Sequence, residues 1–229
     1  MIHVEENGRL NQALRDLYNA YSQEYLAAYR SIFARLDTDP PCRINEFGII
    51  DEERYDTDAG VLFVARENNG WSNEEFEDGS LVRGWLEGIS KEGTDGKGHV
   101  QTYPRMWYNI GRWAMYLNGA EQSIEELAAL KGPVLPALGT IAFTNLNKVR
   151  GYSRAGKEYR ALAGAEISDR LLRAELELLR PKTVVCCGTV GYFQAHAPEF
   201  SGTVIGMPHP TARIGSAQML RQLAMRLSG

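Results

Sequence analysis

The strongest structural signal in the chain is the alternation of short, β-type apolar runs with longer helical stretches. Each run is rich in β-branched, aromatic or cysteine side chains and has the length of a buried strand. The four runs are GVLFVA (60–65), TIAFTN (140–145), TVVCCG (183–188) and GTVIGM (202–207). Strands that alternate with helices form parallel sheets covered on both faces. We therefore predict an α/β fold, a three-layer α/β/α sandwich around a mainly parallel sheet of roughly four strands.

Helices are predicted where apolar residues recur at three- and four-residue steps. The predicted helices span residues 8–36, 81–90, 104–118, 167–179, 189–197 and 214–227. No internal repeat and no linker rich in Pro, Gly or Ser interrupts the sequence. We expect a single domain over residues 1–229, with residues 1–57 as a helical extension and 58–229 as the core. Two questions stay open: whether RINEFGII (43–50) adds a strand, and whether the leading helix packs on the sheet or on a partner.

Composition is typical of a globular protein, with 44% apolar and 24% charged residues among 229. The sequence has no apolar run near the ~20 residues that a membrane helix needs. Its first residues, MIHVEENGRL, lack the basic start and apolar stretch of a signal peptide, which predicts a cytoplasmic location. The three cysteines, Cys42, Cys186 and Cys187, fit neither a disulfide framework nor a metal-ligand spacing, so we expect reduced core or near-core thiols.

Four loops follow the predicted strands, and all of them are polar. Ligands of parallel α/β sheets bind beyond the carboxyl ends of the strands. The loops after the four strands read RENNGW, NLNKVRG, GTVG and MPHPTAR within residues 66–72, 145–151, 188–191 and 207–213. The sequence thus predicts a binding site at this edge, assembled above all from the loops that carry Glu67-Asn68-Asn69 and His209.

Charge does not by itself identify the ligand. The formal net charge of −4 weakens a simple nucleic-acid interpretation, because phosphate binding usually leaves a basic footprint. A local basic segment is nevertheless present, and it consists of Lys148, Arg150, Arg154, Lys157 and Arg160. Such a segment can meet phosphate in an acidic protein.

One familiar phosphate motif is matched only in part. GYSRAGK (151–157) fits the core of a P-loop, but Glu158 stands where the motif needs Ser or Thr to hold magnesium. The sequence contains no G-x-S-x-G, H-E-x-x-H or G-x-G-x-x-G motif. The sequence therefore lacks the motifs that usually identify α/β-hydrolases, zinc proteases and dinucleotide-binding proteins.

The four strand-end motifs occur in an order that resembles the uracil-DNA glycosylase superfamily. They read R-E-N-N-G (66–70), N-L-N-K (145–148), L-L-R-P-K-T-V-V-C-C-G (178–188) and H-P-T-A-R (209–213). The resemblance covers about residues 58–227. Two positions depart from the family pattern, since Arg66 replaces its first glycine and Asn69 its proline. The iron–sulfur cysteines of one branch are absent, and the resemblance implies neither a metal nor another cofactor.

The resemblance implies a role for each of these loops in base excision during DNA repair. Asn68 would hold the attacking water, and His209 would donate a hydrogen bond to a carbonyl oxygen of the departing base. Asn145 would read the edge of an extruded pyrimidine, and Trp71 would stack on it beside Asn69 and Gly70. The residues expected to contact DNA phosphates are Lys148, Arg150, Gly188, Thr189, Thr211 and Arg213.

Each motif also has a structural explanation. Asn68 and Asn69 fit a turn before Gly70, because Asn tolerates left-handed conformations. His209 fits a surface histidine before proline, and Asn145 fits a residue that bonds to backbone after its strand. Glu67 fits either a base that assists the reaction or an ion-pair partner of a nearby arginine. Trp107 and Trp113 lie on the apolar face of their helix, which favours the core over a ligand platform.

Three functions remain open at this point. The first is a metal-independent glycosylase that flips uracil or a damaged base out of DNA and hydrolyses its N-glycosidic bond. The second is a catalytically silent nucleic-acid or base-binding protein of the same fold. The third is a hydrolase of small nucleosides or nucleotides. The acidic composition favours it, because such an enzyme needs no basic surface along which a DNA backbone binds. None of the three involves a membrane, and the sequence names no protein partner.

Overall fold

The central sheet has five strands, and four of them are the predicted parallel strands. In a computed structural model they run Val61–Ala65 (β2), Ala142–Asn145 (β4), Thr183–Cys187 (β6) and Thr203–Met207 (β7). The sheet order is β1-β4-β2-β6-β7, and the fifth strand, Gly48–Ile49 (β1), pairs antiparallel with β4. The predicted α/β fold is confirmed, and the stretch 43–50 supplies the added edge strand. All five residues of β2 are buried, which explains its unbroken apolar run.

The structure describes residues 2–34, 43–66, 68–69, 81–93, 104–151 and 156–228. For residues 2–4, 68–69, 81–82 and 150–151 it describes the backbone alone. The short strands Asn68–Asn69 (β3) and Arg150–Gly151 (β5) pair with each other outside the main sheet. The helices are Ile2–Phe33 (α1), Leu81–Glu92 (α2), Pro104–Leu117 (α3), Ile124–Ala129 (α4), Lys157–Ala163 (α5), Glu166–Leu179 (α6), Val190–His196 (α7) and Ser216–Leu227 (α8), with a 3-10 helix at Gly132–Thr140.

The leading helix α1 packs on this same sheet, which answers one of the open questions. It lies against α5, α6 and β1, and it buries Leu14, Tyr18 and Tyr25. Its Asn11 side chain also completes the edge strand: Nδ2 donates to the Ile49 carbonyl and Oδ1 accepts from the Ile49 amide, both at 3.1 Å. An edge strand exposes unpaired backbone groups, so α1 both covers and satisfies the edge that β1 would otherwise present.

The two faces of the sheet carry different helices. Phe63 and Phe143 face α3, where their rings lie 6.4 Å from Trp113 and 5.4 Å from Trp107 between centroids. Both tryptophans are buried, so their assignment to the core is confirmed. Thr144 faces the opposite side, where it bonds to Glu175 of α6. Helices α1 and α6 thus cover one face, while α3 covers the other.

Candidate functional site

The loops that follow the four parallel strands begin at one edge of the sheet. Ala65 is in register with Asn145, and Cys187 is in register with Met207. Two hydrogen bonds join the loop after β6 to the ends of the neighbouring strands: Thr189 Oγ1 donates to the Val64 carbonyl of β2 at 2.7 Å, and the Gly188 amide donates to the Met207 carbonyl of β7 at 2.7 Å. The predicted meeting of these loops at the carboxyl edge is confirmed.

The first two loops run side by side beyond the sheet. The Leu146 amide donates to the Ala65 carbonyl at 2.9 Å, and the Asn147 amide donates to the Arg66 carbonyl at 2.8 Å. The pairing continues where Asn68 is in register with Arg150 in the β3–β5 ladder. Since this ladder needs extended backbone, the alternative that Asn68 and Asn69 are left-handed turn residues is wrong.

Six of the predicted site residues have no described side chain. Glu67, Gly70 and Trp71 lie outside the described residues. Asn68, Asn69 and Arg150 are described in the backbone alone. Their proposed roles with water, base and phosphate therefore stay predictions.

The His209 loop fixes which ring nitrogen carries the proton of the neutral imidazole. Nδ1 of His209 lies 2.7 Å from Oγ1 of Thr211 and 3.2 Å from the Thr211 amide nitrogen. A backbone amide can only donate, so Nδ1 accepts. The neutral ring therefore carries its proton on Nε2, the form that can donate a hydrogen bond from that nitrogen.

Thr211 was predicted to contact phosphate, but the same geometry gives it a structural role beside His209. Its hydroxyl and its amide are both engaged with the His209 ring. Thr211 thus orients the imidazole whether or not a phosphate is bound.

Gly188 lies directly against the His209 backbone. Its φ of +75° is in the left-handed region that favours glycine. A Cβ there would lie 3.5 Å from the His209 amide nitrogen and 3.6 Å from the His209 Cβ. Glycine thus permits the turn that brings the β6 loop beneath the His209 loop.

Thr189 is a correction to the predicted phosphate set. It is 1% exposed, and its hydroxyl is engaged by the Val64 carbonyl. A buried hydroxyl with that partner links β2 to the β6 loop and is shielded from solvent. The Gly188 amide, which is bonded to Met207, is likewise not offered to a phosphate.

Lys148 is the larger correction, because its ammonium group is buried in the protein core. Nζ lies 2.7 and 2.8 Å from the two carboxylate oxygens of Glu175, and the two side chains are 2% and 0% exposed. Thr144 and Tyr18 also donate hydrogen bonds to this carboxylate. Burial lowers the pKa of Lys148, and the Glu175 charge opposes that shift. Lys148 therefore joins β4 to α6 and does not contact phosphate.

A signal for this pair is visible in α6. Glu175 lies three residues after Leu172 and four before Leu179, on the stripe that the helix buries. A carboxylate on such a stripe needs a buried partner. That partner is Lys148. In the sequence this lysine groups with the basic residues of segment 148–160, which predicts that it is exposed.

Asn145 ends β4 on the α3 side of the sheet. Side chains alternate along a strand, so Asn145 shares the face of Phe143, whose ring packs against Trp107 of α3. Asn145 is 1% exposed. Its predicted contact with a base stays a prediction.

Helix α3 also reaches the His209 loop, through residues that the sequence analysis did not single out. Asn109 Nδ2 donates to the Pro210 carbonyl at 2.7 Å, and Arg105 Nη2 donates to the Ile214 carbonyl at 2.7 Å. The signal for Asn109 is an amide beside Ile110 in a helix whose other buried positions are mostly apolar. His209 and Asn145 therefore belong to the same side of the carboxyl edge.

Arg213 is exposed on the His209 loop, as its predicted phosphate contact requires, and Arg66 is exposed where the first loop begins.

Among the residues whose placement is described, no group of three His, Cys, Asp or Glu side chains could hold a metal ion. Within the same residues, no helix combines the length and apolar character of a membrane span.

Comparison with known proteins adds no family. No protein-family model matches the chain, and no curated protein is similar to it in sequence. The resemblance to the uracil-DNA glycosylase superfamily thus rests on the four motifs and their order along the chain.

Proposed function

We propose that this protein hydrolyses the N-glycosidic bond of uracil or a damaged base in DNA, after flipping the nucleotide into the carboxyl edge of the sheet. The observation that carries the proposal is the geometry of His209. Its Nδ1 is held by Thr211, so Nε2 is the donor, and the loop lies at the edge where β2 and β4 also end. A donor held in this way suits a carbonyl oxygen that becomes negative as the base departs.

The reaction needs a water beneath the sugar and stabilisation of the departing base. Cleavage leaves cationic character on the sugar and negative charge on the base. Asn68 would position the water through its amide, and Glu67 would assist as base or stabilise the cation. The His209 Nε2–H would donate to the base, while Asn145 would offer both a donor and an acceptor to its Watson–Crick edge.

The test is release of free base from a uracil-containing oligonucleotide. Removal of one donor to a developing anion typically costs 10²–10³-fold in kcat, so His209→Ala should lose at least about 100-fold. His196→Ala is the matched control, because that imidazole pairs with Asp169 at 3.5 Å on the α6–α7 side. No release from uracil, hypoxanthine or other lesion substrates by folded protein would refute the proposal.

A second candidate is hydrolysis of small nucleosides or nucleotides, and the burial of Lys148 favours it. With that ammonium neutralised by Glu175, the edge has one cation fewer for a phosphate backbone. The discriminating measurement is the salt dependence of substrate affinity. On DNA, Arg213→Gln should lower the slope of log K against log salt by about 1. Turnover of free deoxyuridine that matches turnover of DNA would instead support the small substrate. Salt-dependent DNA binding without turnover of either would favour a silent binding protein.

A further inference from the structure

Asn109 is a fully buried amide in the middle of helix α3. It is 0% exposed, and its buried neighbours include Ile110 and Trp113. Asn is a poor helix former, and burying an amide costs free energy unless it is hydrogen-bonded. Its presence there calls for a specific partner, and the partner is the carbonyl of Pro210 at 2.7 Å.

The orientation of the Asn109 amide is fixed by two donors on its other end. Arg112 Nη1 and Ser216 Oγ both donate to Asn109 Oδ1, at 2.9 Å each. Arg112 is itself held, since its guanidinium donates to the carbonyls of Leu127 and Leu130 at the end of α4. Because Oδ1 receives these donors, the Asn109 NH₂ group must be the end that faces Pro210.

The group that Asn109 holds belongs to the same peptide unit that orients His209. The Pro210 carbonyl and the Thr211 amide lie at opposite ends of one planar peptide. The carbonyl accepts from Asn109, and the amide donates to His209 Nδ1 at 3.2 Å. A continuous hydrogen-bonded chain therefore runs from the Arg112 guanidinium through Asn109 and this peptide to the imidazole. Hydrogen bonds in such a chain polarise one another.

We infer that Asn109 is a positioning residue that holds His209 in its Nε2-protonated form, an inference whose catalytic part rests on the proposed function. Loss of the Asn109 donor would free the Pro210–Thr211 peptide to rotate. The Thr211 amide would then no longer face Nδ1, and both protonated forms of the neutral ring would be populated.

The informative variant is Asn109→Asp, which preserves size and the acceptor for Arg112 and Ser216. It replaces the NH₂ donor to Pro210 with a carboxylate oxygen, whose charge lies beside the Arg112 guanidinium. Because a new negative charge favours imidazolium, spectra of both proteins are recorded well above the ordinary imidazole pKa of about 6.5. With ¹⁵N-labelled histidine, the His209 signals are assigned by their loss in His209→Gln. In the wild type, NMR should show Nδ1 unprotonated and Nε2 protonated, whereas in Asn109→Asp the two nitrogen shifts should move towards each other. In base release, kcat should fall by about tenfold to 100-fold with KM little changed.

Two further variants keep the experiment decisive. Ser216→Ala removes one of the donors to Asn109 Oδ1 and should move the His209 shifts in the same direction by a smaller amount. Asn118→Ala, an exposed amide just beyond α3 that bonds to Thr140, should leave them unchanged. If Asn109→Asp does not fold, Ser216→Ala decides the question.

The outcomes separate this inference from the proposed function. Wild-type His209 shifts in folded Asn109→Asp, or in Ser216→Ala where only that variant folds, would overturn the inference. Moved shifts with unchanged kcat in an active enzyme would overturn its catalytic part. Moved shifts in a protein that releases no base would support the positioning role and reject the glycosylase.

Discussion

Replacing Lys148 by methionine tests whether this lysine belongs to the core. The change retains the length of the side chain and removes a charge that lies 2.7 Å from a carboxylate oxygen of Glu175. At an effective dielectric constant of about 20, that attraction is about 6 kcal/mol before desolvation is subtracted. Thr144 and Tyr18 remain as donors to the carboxylate but do not neutralise it. The free energy of unfolding should therefore fall by about 3–5 kcal/mol, as for other broken buried pairs.

A double variant and a control variant test whether the loss of stability comes from the pairing of Lys148 with Glu175. In Lys148→Met/Glu175→Leu no charge is left buried, and the remaining cost is that of two hydroxyls without their acceptor. We expect the double variant to be more stable than Lys148→Met, with a coupling energy of about 2–3 kcal/mol. Arg221→Gln breaks the exposed pair with Glu125, whose partners are 55% and 66% exposed, and should cost less than about 1 kcal/mol.

Urea denaturation followed by circular dichroism gives these free energies, provided that the slopes with denaturant agree. A loss below about 1 kcal/mol in Lys148→Met, or additive effects in the double variant, would refute the argument from burial. Where DNA binding is detected, Lys148→Met should leave its salt dependence unchanged, because the ammonium makes no phosphate contact. If the slope of log K against log salt fell by about 1, Lys148 would be a phosphate contact after all.

Three other predictions follow from local geometry. Gly111→Ala would place a Cβ 2.4 Å from the Val134 carbonyl oxygen, so thermal unfolding should show a loss of about 1–3 kcal/mol. Gly188→Ala should cost about 1–2 kcal/mol through its φ of +75°. Gly191 is the second residue of α7, and a Cβ there would meet open space, so Gly191→Ala should stabilise the protein by up to about 0.5–1 kcal/mol; equal effects of the two variants in urea titrations would contradict this. Burial raises the pKa of Cys186 from 9.0 to about 12, so the folded thiol stays protonated while the unfolded one ionises. The free energy of unfolding should thus fall between about pH 9 and 12 by up to about 1.4 kcal/mol per pH unit, and alkaline denaturation of Cys186→Ala should lack this contribution.

The four parallel strands could be predicted because burial on both faces leaves a continuous apolar run. Predicted and observed strands agree within two residues at each end. The edge strand β1 has only two residues, and its position depends on pairing with β4 and on Asn11 of α1. Those partners lie far away in sequence, so the local pattern in residues 43–50 does not determine whether a strand forms there.

The meeting of the strand-end loops at one edge could be predicted from the sequence, but the contacts of their side chains could not. Sheet topology is a consequence of the strand–helix alternation, and it brings the strand-end loops together without knowledge of any contact. The duty of Lys148 depends on Glu175, 27 residues further along the chain, and that of Asn109 depends on a carbonyl 101 residues away. A basic residue in a loop and an amide in a helix look the same locally whether they face solvent or a buried partner.

These side chains together give the carboxyl edge its electrostatic character. Glu175 neutralises Lys148, the Thr189 hydroxyl is bonded to backbone, and the neutral form of His209 carries its proton on Nε2. The hydroxyl and the backbone amide of Thr211 contact the His209 ring, and Arg213 adds an exposed positive charge on the same loop. Fixed dipoles stabilise a charge that develops during a reaction more effectively than one already present, since they cost no reorganisation when the charge appears. Such an edge suits a substrate base that is neutral when bound and anionic when it leaves, which is the charge change that the proposed glycosylase reaction requires.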